Sequence, residues 1–161
     1  MEKLQIRPEE PVFTDQLRQA PLTRPIYEQA DLLGELPSVK ILPSTDPDAR
    51  RTPSVQALAI EREGVEVGKF NLVQTPNRSW INDINIEKER RGEHLAVAAY
   101  VGLIAINKLI GRDIESDPQG LSEDSLRIWQ SLEKRGVAQT VEGDFDAHGN
   151  PRYTSKLAGY N

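Results

Sequence analysis

The sequence predicts a mixed α/β fold of the α+β type, in which a mostly antiparallel sheet is flanked by helices. Apolar and polar residues alternate in three runs between Val55 and Ile86, a pattern that is typical of half-buried strands. A long apolar helix pattern follows from Arg91 to about Ile110, and a second, capped helix pattern begins at Ser122. The predicted order is therefore three antiparallel strands, a helix, a short strand, a second helix and a hairpin.

The three alternating runs predict a meander. Its strands are predicted at Val55–Arg62, Val65–Gln74 and Ser79–Ile86. Gly68 lies within the second strand, where an isolated glycine often marks a bulge. In the third strand, strict alternation puts Ile81, Asp83 and Asn85 on one side and the residues between them on the other.

The helix predicted at Arg91–Ile110 is apolar on nearly all sides, because apolar residues fill the i, i+3, i+4 and i+7 positions and many positions between them. A helix of this kind is buried. Gly111 is a suitable residue for its C′ position. The apolar run Leu95–Ile106 has twelve residues, which is too few to span a bilayer, so no membrane association is expected.

The remaining elements are predicted as a short strand at Asp113–Asp117, a helix from Ser122 to Lys134, and hairpin strands at Ala138–Phe145 and Arg152–Leu157. Ser122 is a good N-cap, and acidic residues follow it in the first turn. The segment Asp144–Gly149 superficially resembles a calcium loop. Because His148 stands at the third ligand position and Ser155 at the twelfth, we reject a calcium site and interpret Asp146–Pro151 as a hairpin turn.

The first third of the chain is predicted to be irregular, with short turns of structure at most. Eight of the eleven prolines lie before residue 54, and proline removes a backbone donor and breaks helices. Ile26–Leu36 fits one short helix, and Ser44–Pro53 is typical of an exposed loop. The chain is therefore divided into a Pro-rich N-terminal segment, residues 1–54, and a core, residues 55–161. Apolar residues in the segment favour at least partial packing on the core.

The composition excludes several classes of function. The 161 residues are 37% hydrophobic and 28% charged, with a net charge of −5, which suits one globular domain and argues against a general nucleic-acid binder. The chain has no cysteine, so a disulfide, a thiol nucleophile and a cysteine zinc site are excluded. Its two histidines lie far apart, so no metal site is expected. The N-terminus shows no apolar signal region, and the default expectation for the compartment is the cytoplasm.

The turn Arg90–Ala96 carries the most informative functional signal. A turn that opens a helix directly after a strand presents unpaired backbone N–H groups, and the helix dipole favours negative charge there. This turn is therefore a suitable binding site for a phosphate or pyrophosphate. Arg90 and Arg91 either steer such a group or are solvated side chains at the start of the helix. His94 either hydrogen-bonds a phosphate or is an ordinary side chain at this position.

The element order and this turn resemble the GNAT acetyltransferase superfamily over roughly residues 55–157. In that family the turn has Gln or Arg, two residues, Gly, one residue, then Gly or Ala, and its N–H groups hold the pyrophosphate of acetyl-CoA. Arg91 matches the first position and Ala96 the last, while His94 stands where the family usually has glycine. The resemblance implies a splayed, GNAT-like sheet with acetyl-CoA, as co-substrate, in the gap. The residues that would bind the pyrophosphate are Arg91, Gly92, Glu93, His94, Leu95 and Ala96.

Further positions match the part of the family's site that binds the pantetheine arm. Ile84 and Ile86 lie on the strand whose backbone groups pair with this arm in the family, and Ser122 corresponds to an asparagine that contacts it. Seven residues on, Trp129 stands where the family usually has tyrosine, commonly the general acid that protonates the departing thiolate. Because an indole N–H is not acidic at neutral pH, water would have to protonate the thiolate here.

The resemblance makes Asp83 the predicted general base, since the family often places a carboxylate on this strand, and Glu87 is a weaker second choice. The alternative for Asp83 is a polar strand residue with no catalytic role. The acceptor would be an amine of a small molecule or of a protein. The excess of acidic residues between positions 113 and 146 either attracts such a cation or is a solvated face.

The function that the resemblance implies is that of an acetyl-CoA-dependent N-acetyltransferase. The alternative is a catalytically inactive GNAT-like domain used for binding or assembly, because the Pro-rich segment replaces the two helices that usually form the acceptor-side wall. A loose similarity of Leu121–Leu132 to phage- or plasmid-type GNAT-like proteins adds a third, accessory role. An exposed edge near the C-terminal hairpin would permit a homodimer.

Overall fold

The computed structural model describes residues 12–13, 36–46, 52, 54–109 and 111–156. The strands are β1 (Val12–Phe13), β2 (Lys40–Pro43), β3 (Val55–Arg62), β4 (Val65–Gln74), β5 (Ser79–Ile86), β6 (Ala138–Phe145) and β7 (Pro151–Ser155). The helices are α1 (Leu95–Leu109) and α2 (Glu123–Lys134), with a short 3₁₀ helix at Lys88–Arg90. The helix predicted at Ile26–Leu36 lies outside the described residues except for Leu36. Most of the loop predicted at Ser44–Pro53, and the packing expected of the N-terminal segment before Leu36, also lie outside them.

The described strands form two antiparallel sheets. One has five strands in the order β1-β2-β3-β4-β5, and the other pairs β6 with β7. The predicted bounds of β3, β4, β5 and β6 are confirmed, because residues typical of turns flank each of these strands in the sequence. The predicted α+β fold class is confirmed as well.

The N-terminal third contributes two strands, so the prediction of irregular structure there was wrong for Lys40–Pro43. β2 pairs with β3 in antiparallel register, with Ile41 opposite Ile60. Val39 and Ile41 are both buried, since they alternate toward the core as in any half-buried strand. The proline at position 43 is the last residue of the strand, where it removes little hydrogen bonding. The division of the chain at residue 54 stays a prediction.

Two bulges shape the sheet where β4 meets its neighbours. In β4 the register moves from Ile60 opposite Gly68 to Glu61 opposite Glu66, so the extra residue is Val67, directly before Gly68, and the predicted bulge is confirmed. A Cβ atom at Gly68 would lie 2.7 Å from the Ile86 Cδ1 atom and 2.9 Å from the Asn85 carbonyl oxygen. Glycine at this position therefore permits the close approach of β5.

The second bulge lies in β5 and overturns its predicted alternation. Asn82 pairs with Asn71 and Asn85 pairs with Lys69, so Asp83 and Ile84 together stand opposite a single residue of β4. Asp83 has a φ of 52°, the left-handed conformation that such a bulge uses. The bulge shifts the pattern by one residue, and Ile84 therefore packs against the core, as Ile81 does.

Helix α1 begins at Leu95, so the prediction that it begins at Arg91 was wrong. Gly92 has a φ of 90° and His94 a φ of 60°, and neither conformation fits a right-handed helix. The predicted C-terminus is confirmed within one residue. Gly111 has a φ of 78°, and the Arg112 N–H donates to the Asn107 carbonyl at 2.8 Å, as in a Schellman cap. Neither described helix is long and apolar enough to cross a membrane.

The prediction of a strand at Asp113–Asp117 was wrong, because the bridges of this segment to the two sheets are confined to Glu115. Glu115 forms a parallel bridge with Trp80 of β5 and an antiparallel bridge with Thr154 of β7. Its N–H donates to the Ser79 carbonyl at 2.9 Å. Within the described residues, no β5 residue beyond Trp80 pairs with this segment. The two sheets therefore separate beyond this point, which produces the predicted splay.

Helix α2 begins at the predicted cap. The Ser122 Oγ atom accepts a hydrogen bond from the Ser125 N–H at 3.1 Å. Trp129 is 1% exposed, packs edge-on against Tyr100 with ring centres 5.7 Å apart, and stacks on Tyr153 with ring centres 5.8 Å apart. The interpretation of Trp129 as a core aromatic is therefore confirmed.

Candidate functional site

A cleft of about 570 Å³ opens where the end of β5, the following turn, the start of α1 and one face of α2 meet. It is lined by residues 84–86, 90–92, 94–97, 124, 127, 128 and 131. A volume of this size lies within the roughly 300–1,000 Å³ of typical small-molecule sites. The cleft is therefore the candidate functional site.

The structure brings together most of the residues that were predicted to bind a cofactor. Those that line the cleft are Ile84, Ile86, Arg91, Gly92, His94, Leu95 and Ala96. Three other predicted site residues do not line it: Asp83, Glu93 and Ser122. The Ser122 hydroxyl caps α2 instead, because it accepts from the Ser125 N–H and lies 3.0 Å from the Ser125 hydroxyl.

The turn before α1 presents the backbone of its first residues to the cleft. Residues 94–97 line the cleft, and the Ala98 N–H is bonded to the His94 carbonyl at 3.0 Å. The N–H groups that precede Ala98 are those that a helix leaves without an intrahelical acceptor. His94 is not a glycine, and its left-handed φ costs about 1 kcal/mol. A strained residue beside unpaired N–H groups is typical of an anion-binding turn.

Two arginines of the turn are held by neighbouring groups. The Arg90 guanidinium donates to both carboxylate oxygens of Glu93, at 2.7 and 3.0 Å. This hydrogen bond raises the pKa of Arg90 and lowers the pKa of the Glu93 carboxyl. Arg91 donates to the Ile86 carbonyl at 3.1 Å and to the Asn85 Oδ1 atom at 3.3 Å. The Glu93 carboxylate is thus paired at the cleft's edge, while Arg91 spans the end of β5.

One face of α2 forms the far side of the cleft, and the sequence analysis did not assign it. This α2 wall consists of Asp124, Arg127, Ile128 and Ser131. The four positions follow the i, i+3, i+4, i+7 spacing of one helix face. The i, i+3, i+4, i+7 spacing would identify these four residues from the sequence only if the position of α2 opposite the turn were already known.

Asp83 lies one residue before the cleft lining, on the bulge of β5. Its side chain is exposed, and the Asn71 Nδ2 group donates to its Oδ2 atom at 3.4 Å. Bulges of this kind re-aim side chains next to active sites. The Asp83 carboxylate is therefore open to solvent at the bulge of β5.

A second carboxyl group, that of Asp117, lies in the segment that separates from β5. The pKa of Asp117 is raised, mainly because the carboxyl group is partly buried. The negative charges of Asp83 and Asp146 raise it as well. The hydrogen bond that Asp117 accepts from the Gln119 N–H and the positive charge of Arg152 lower it, but by less. The side chain is only half-buried. The net result is a carboxyl group that holds its proton to higher pH than an ordinary aspartic acid.

We expect Asp117→Asn to raise the melting temperature near neutral pH. The folded-state pKa exceeds the unfolded one, so ionisation of Asp117 costs stability as the pH rises through these values. Below about pH 3 both states are protonated and the gain disappears. Thermal unfolding at both pH values tests this, with exposed Asp144→Asn as the control for loss of one charge. A lower melting temperature for Asp117→Asn at neutral pH would contradict it.

The α2 position that corresponds to the tyrosine discussed above holds a buried indole. Trp129 does not line the cleft, and its two aromatic neighbours are the tyrosines at positions 100 and 153. Burial raises the pKa of both tyrosines, so both stay protonated at neutral pH. No side chain of α2 that lines the cleft is a phenol.

Comparisons with known proteins give likeness at the level of structure. No family model matches the sequence, and no curated protein matches it significantly. The chain is similar to the ribosomal-protein-S18-alanine N-acetyltransferase from Escherichia coli, with a TM-score of 0.43, 11% identity, and coverage of 69% of this chain and 76% of that chain. It is similar to RimJ from Mycobacterium smegmatis, solved with CoA-disulfide, with a TM-score of 0.48, 13% identity, and coverage of 76% and 83%.

A third similar structure is the diaminobutyrate acetyltransferase EctA from Paenibacillus lautus, solved with its substrate and coenzyme A. The TM-score is 0.43 and the identity 15%, with coverage of 63% of this chain and 69% of that chain. Two of these three structures are named as acetyltransferases, and the other was solved with CoA-disulfide. The likeness is one of fold.

Proposed function

We propose that this chain is an acetyl-CoA-dependent N-acetyltransferase that transfers an acetyl group to an amine. The observation that carries the proposal is the cleft of about 570 Å³ at the N-terminus of α1, beside the splay of the sheet. The first residues of α1 line it, where a helix leaves backbone N–H groups without intrahelical acceptors, and Arg90 and Arg91 line it as well. Both features suit a pyrophosphate, because N–H groups at a helix start and arginines are the usual phosphate donors in proteins.

The site has room for such a group at the turn. A Cβ atom at Gly92 would have no heavy atom within 4 Å, so the space beside this residue is open. The backbone N–H groups of Gly92 to Ala96 would hold the pyrophosphate there. Arg91 would exchange its contacts with the end of β5 for a phosphate oxygen, since charge-assisted hydrogen bonds to phosphate are the stronger ones.

The bulge in β5 would position the thioester. Asp83 and Ile84 share one opposing residue on β4, so backbone groups of this pair are out of register with the ladder. Those groups are suited to pair with the pantetheine arm and to donate to the thioester carbonyl, where negative charge develops. The Glu87 N–H is not available for this role, because it donates to the Val67 carbonyl at 2.9 Å.

Asp83 would accept the proton of the attacking amine, directly or through water. Its carboxylate is exposed and held by the Asn71 amide at 3.4 Å. The amine would then attack the thioester carbonyl carbon, and the carbon–sulfur bond would break. Because Trp129 is buried and has no acidic proton, water would protonate the CoA thiolate.

We expect Asp83→Asn to lower kcat/KM for acetyl transfer by about 100-fold while leaving CoA affinity unchanged, because general-base catalysis contributes about this much. Asparagine tolerates the left-handed φ of 52° at this position, so the fold should be retained. Release of free CoA thiol across a panel of primary amines measures the rate. Glu87→Gln tests the second-choice base and should keep wild-type activity, as should Asp144→Asn, which removes an exposed carboxylate outside the cleft lining. An unchanged kcat/KM in Asp83→Asn would remove Asp83 from the mechanism.

A second candidate function is a GNAT-like module that binds CoA without catalysis. The buried indole at Trp129, 1% exposed, favours it, because no phenol from α2 lines the cleft to protonate the thiolate. Calorimetric titration of the wild-type chain with acetyl-CoA and with CoA separates the candidates. Binding with amine-dependent thiol release supports the enzyme, binding without release supports the module, and no binding excludes both.

A further inference from the structure

Arg127 stands apart from the other arginines of the cleft. It projects from the α2 wall, whereas Arg90 and Arg91 belong to the turn before α1. Its side chain is 68% exposed. The cleft thus carries guanidinium groups on two separate walls.

The ties that hold Arg127 are weak. Its Nη2 atom lies 3.0 Å from the Glu123 Oε1 atom, and its Nη1 atom lies 3.8 Å from the Asp124 Oδ1 atom. Both carboxylates are more than four-fifths exposed. Ion pairs between exposed side chains on one helix face contribute little, because water screens them and ordering the side chains has an entropic cost.

The arginines of the turn are held more firmly to their own side of the cleft. Arg90 makes two short hydrogen bonds to one carboxylate, and Arg91 is bonded to the Ile86 carbonyl of β5. Arg127 is therefore the guanidinium of the cleft lining that a ligand anion can recruit at the smallest cost. A guanidinium on the opposite wall can meet a phosphate that the turn does not enclose.

We propose that Arg127 binds a phosphate of the nucleotide ligand from the α2 wall. This inference rests on the proposed function, since the ligand is CoA or acetyl-CoA. CoA presents two groups of this chemistry, the pyrophosphate and the 3′-phosphate of the ribose. Arg127 leaves the carboxylate of Glu123 when it binds, and the phosphate takes the place of that carboxylate.

The first test compares Arg127→Gln with Lys134→Gln, a loss of the same charge on the same helix outside the cleft lining. Calorimetry at low salt should show that CoA binds Arg127→Gln about tenfold more weakly than wild type, the usual loss for one charge-assisted hydrogen bond. Lys134→Gln should bind as wild type does. The affinity of Arg127→Gln should also fall less steeply with salt, because one screened contact is gone. A merely structural role would leave the salt dependence unchanged.

The second test identifies which phosphate is bound, with dephospho-CoA as the probe. If Arg127→Gln weakens CoA and dephospho-CoA by the same factor, Arg127 binds the pyrophosphate. If only CoA is weakened, Arg127 binds the 3′-phosphate. Both results support the proposal, and an unchanged CoA affinity in Arg127→Gln overturns it.

The third test exploits the competing carboxylate. Glu123→Gln should bind CoA about threefold more tightly, because Arg127 no longer has to leave an ion pair, while Glu133→Gln on the same helix should match wild type. Weaker binding by Glu123→Gln overturns the competition between carboxylate and phosphate. The wild-type titration distinguishes failure of the proposed function from failure of this inference. A wild-type chain that does not bind CoA contradicts both, whereas a wild-type chain that binds CoA with the same affinity as Arg127→Gln contradicts only the role of Arg127.

Discussion

Gly92→Glu should abolish CoA binding, with a loss of at least about 100-fold in affinity. The new carboxylate would lie beside the N–H groups at the start of α1 and would compete for them, while it repels the pyrophosphate. Gly92 has a φ of 90°, so any side chain there also strains the turn by about 1 kcal/mol. Calorimetric titration with CoA and acetyl-CoA measures the loss.

The matched control is Gly111→Glu at the opposite end of the same helix. Gly111 has a φ of 78°, and a Cβ atom there would also meet no heavy atom within 4 Å. The strain and the added charge are therefore alike, but the site is about 20 Å away along a helix of fifteen residues. Gly111→Glu should lose stability and keep its affinity for CoA. If both variants bind CoA as wild type does, the turn is not the pyrophosphate site.

Trp129→Ala should lower the free energy of unfolding by about 4 kcal/mol, the usual cost of removing a large aromatic from a core. Trp129 is 1% exposed and lies between Tyr100 and Tyr153, so its loss leaves a cavity and two aromatic rings without their partner. Urea unfolding followed by circular dichroism measures the change.

Trp80→Ala provides the comparison, because Trp80 is only half-buried on β5 and should lose clearly less stability. Trp129 does not line the cleft. The folded fraction of Trp129→Ala should therefore still bind CoA at low temperature. Equal losses of stability in the two tryptophan variants would show that Trp129 is not the centre of this core.

The sequence predicts those parts of the fold that depend on repeated local patterns. β3, β4 and β5 have the predicted bounds, because alternation over eight or ten residues is a strong signal. The start of α1 and the register of β5 could not be predicted in this way. The start of α1 depends on the left-handed φ angle of His94, and the register of β5 depends on that of Asp83. Because neither residue is a glycine, the sequence does not predict this conformation.

The candidate site was predictable on one side and not on the other. The turn before α1 has a chemical signature in arginine, glycine and a following helix, so its residues were identified from the sequence. The α2 wall has no such signature, since Arg127 is one of several charged residues on an exposed helix. Only the packing of α2 opposite the turn makes it part of the cleft. β2 was missed because its proline lies at the strand end, where local rules predict a loop.

The short segment around Glu115 links the two sheets. The Glu115 N–H donates to the Ser79 carbonyl of β5, while the Ser116 N–H and the Ile114 carbonyl on either side of it bond β7. The Glu115 carboxylate also ties Arg78 of the β4–β5 turn, at 2.6 Å, to buried Arg152 of β7, at 3.1 Å. Both sheets are therefore bonded to the same short segment, although their own ladders are separate. Because the ladders are separate, we expect changes in the loop at residues 117–121 to alter the opening between the two sheets while both sheets keep their own hydrogen bonds.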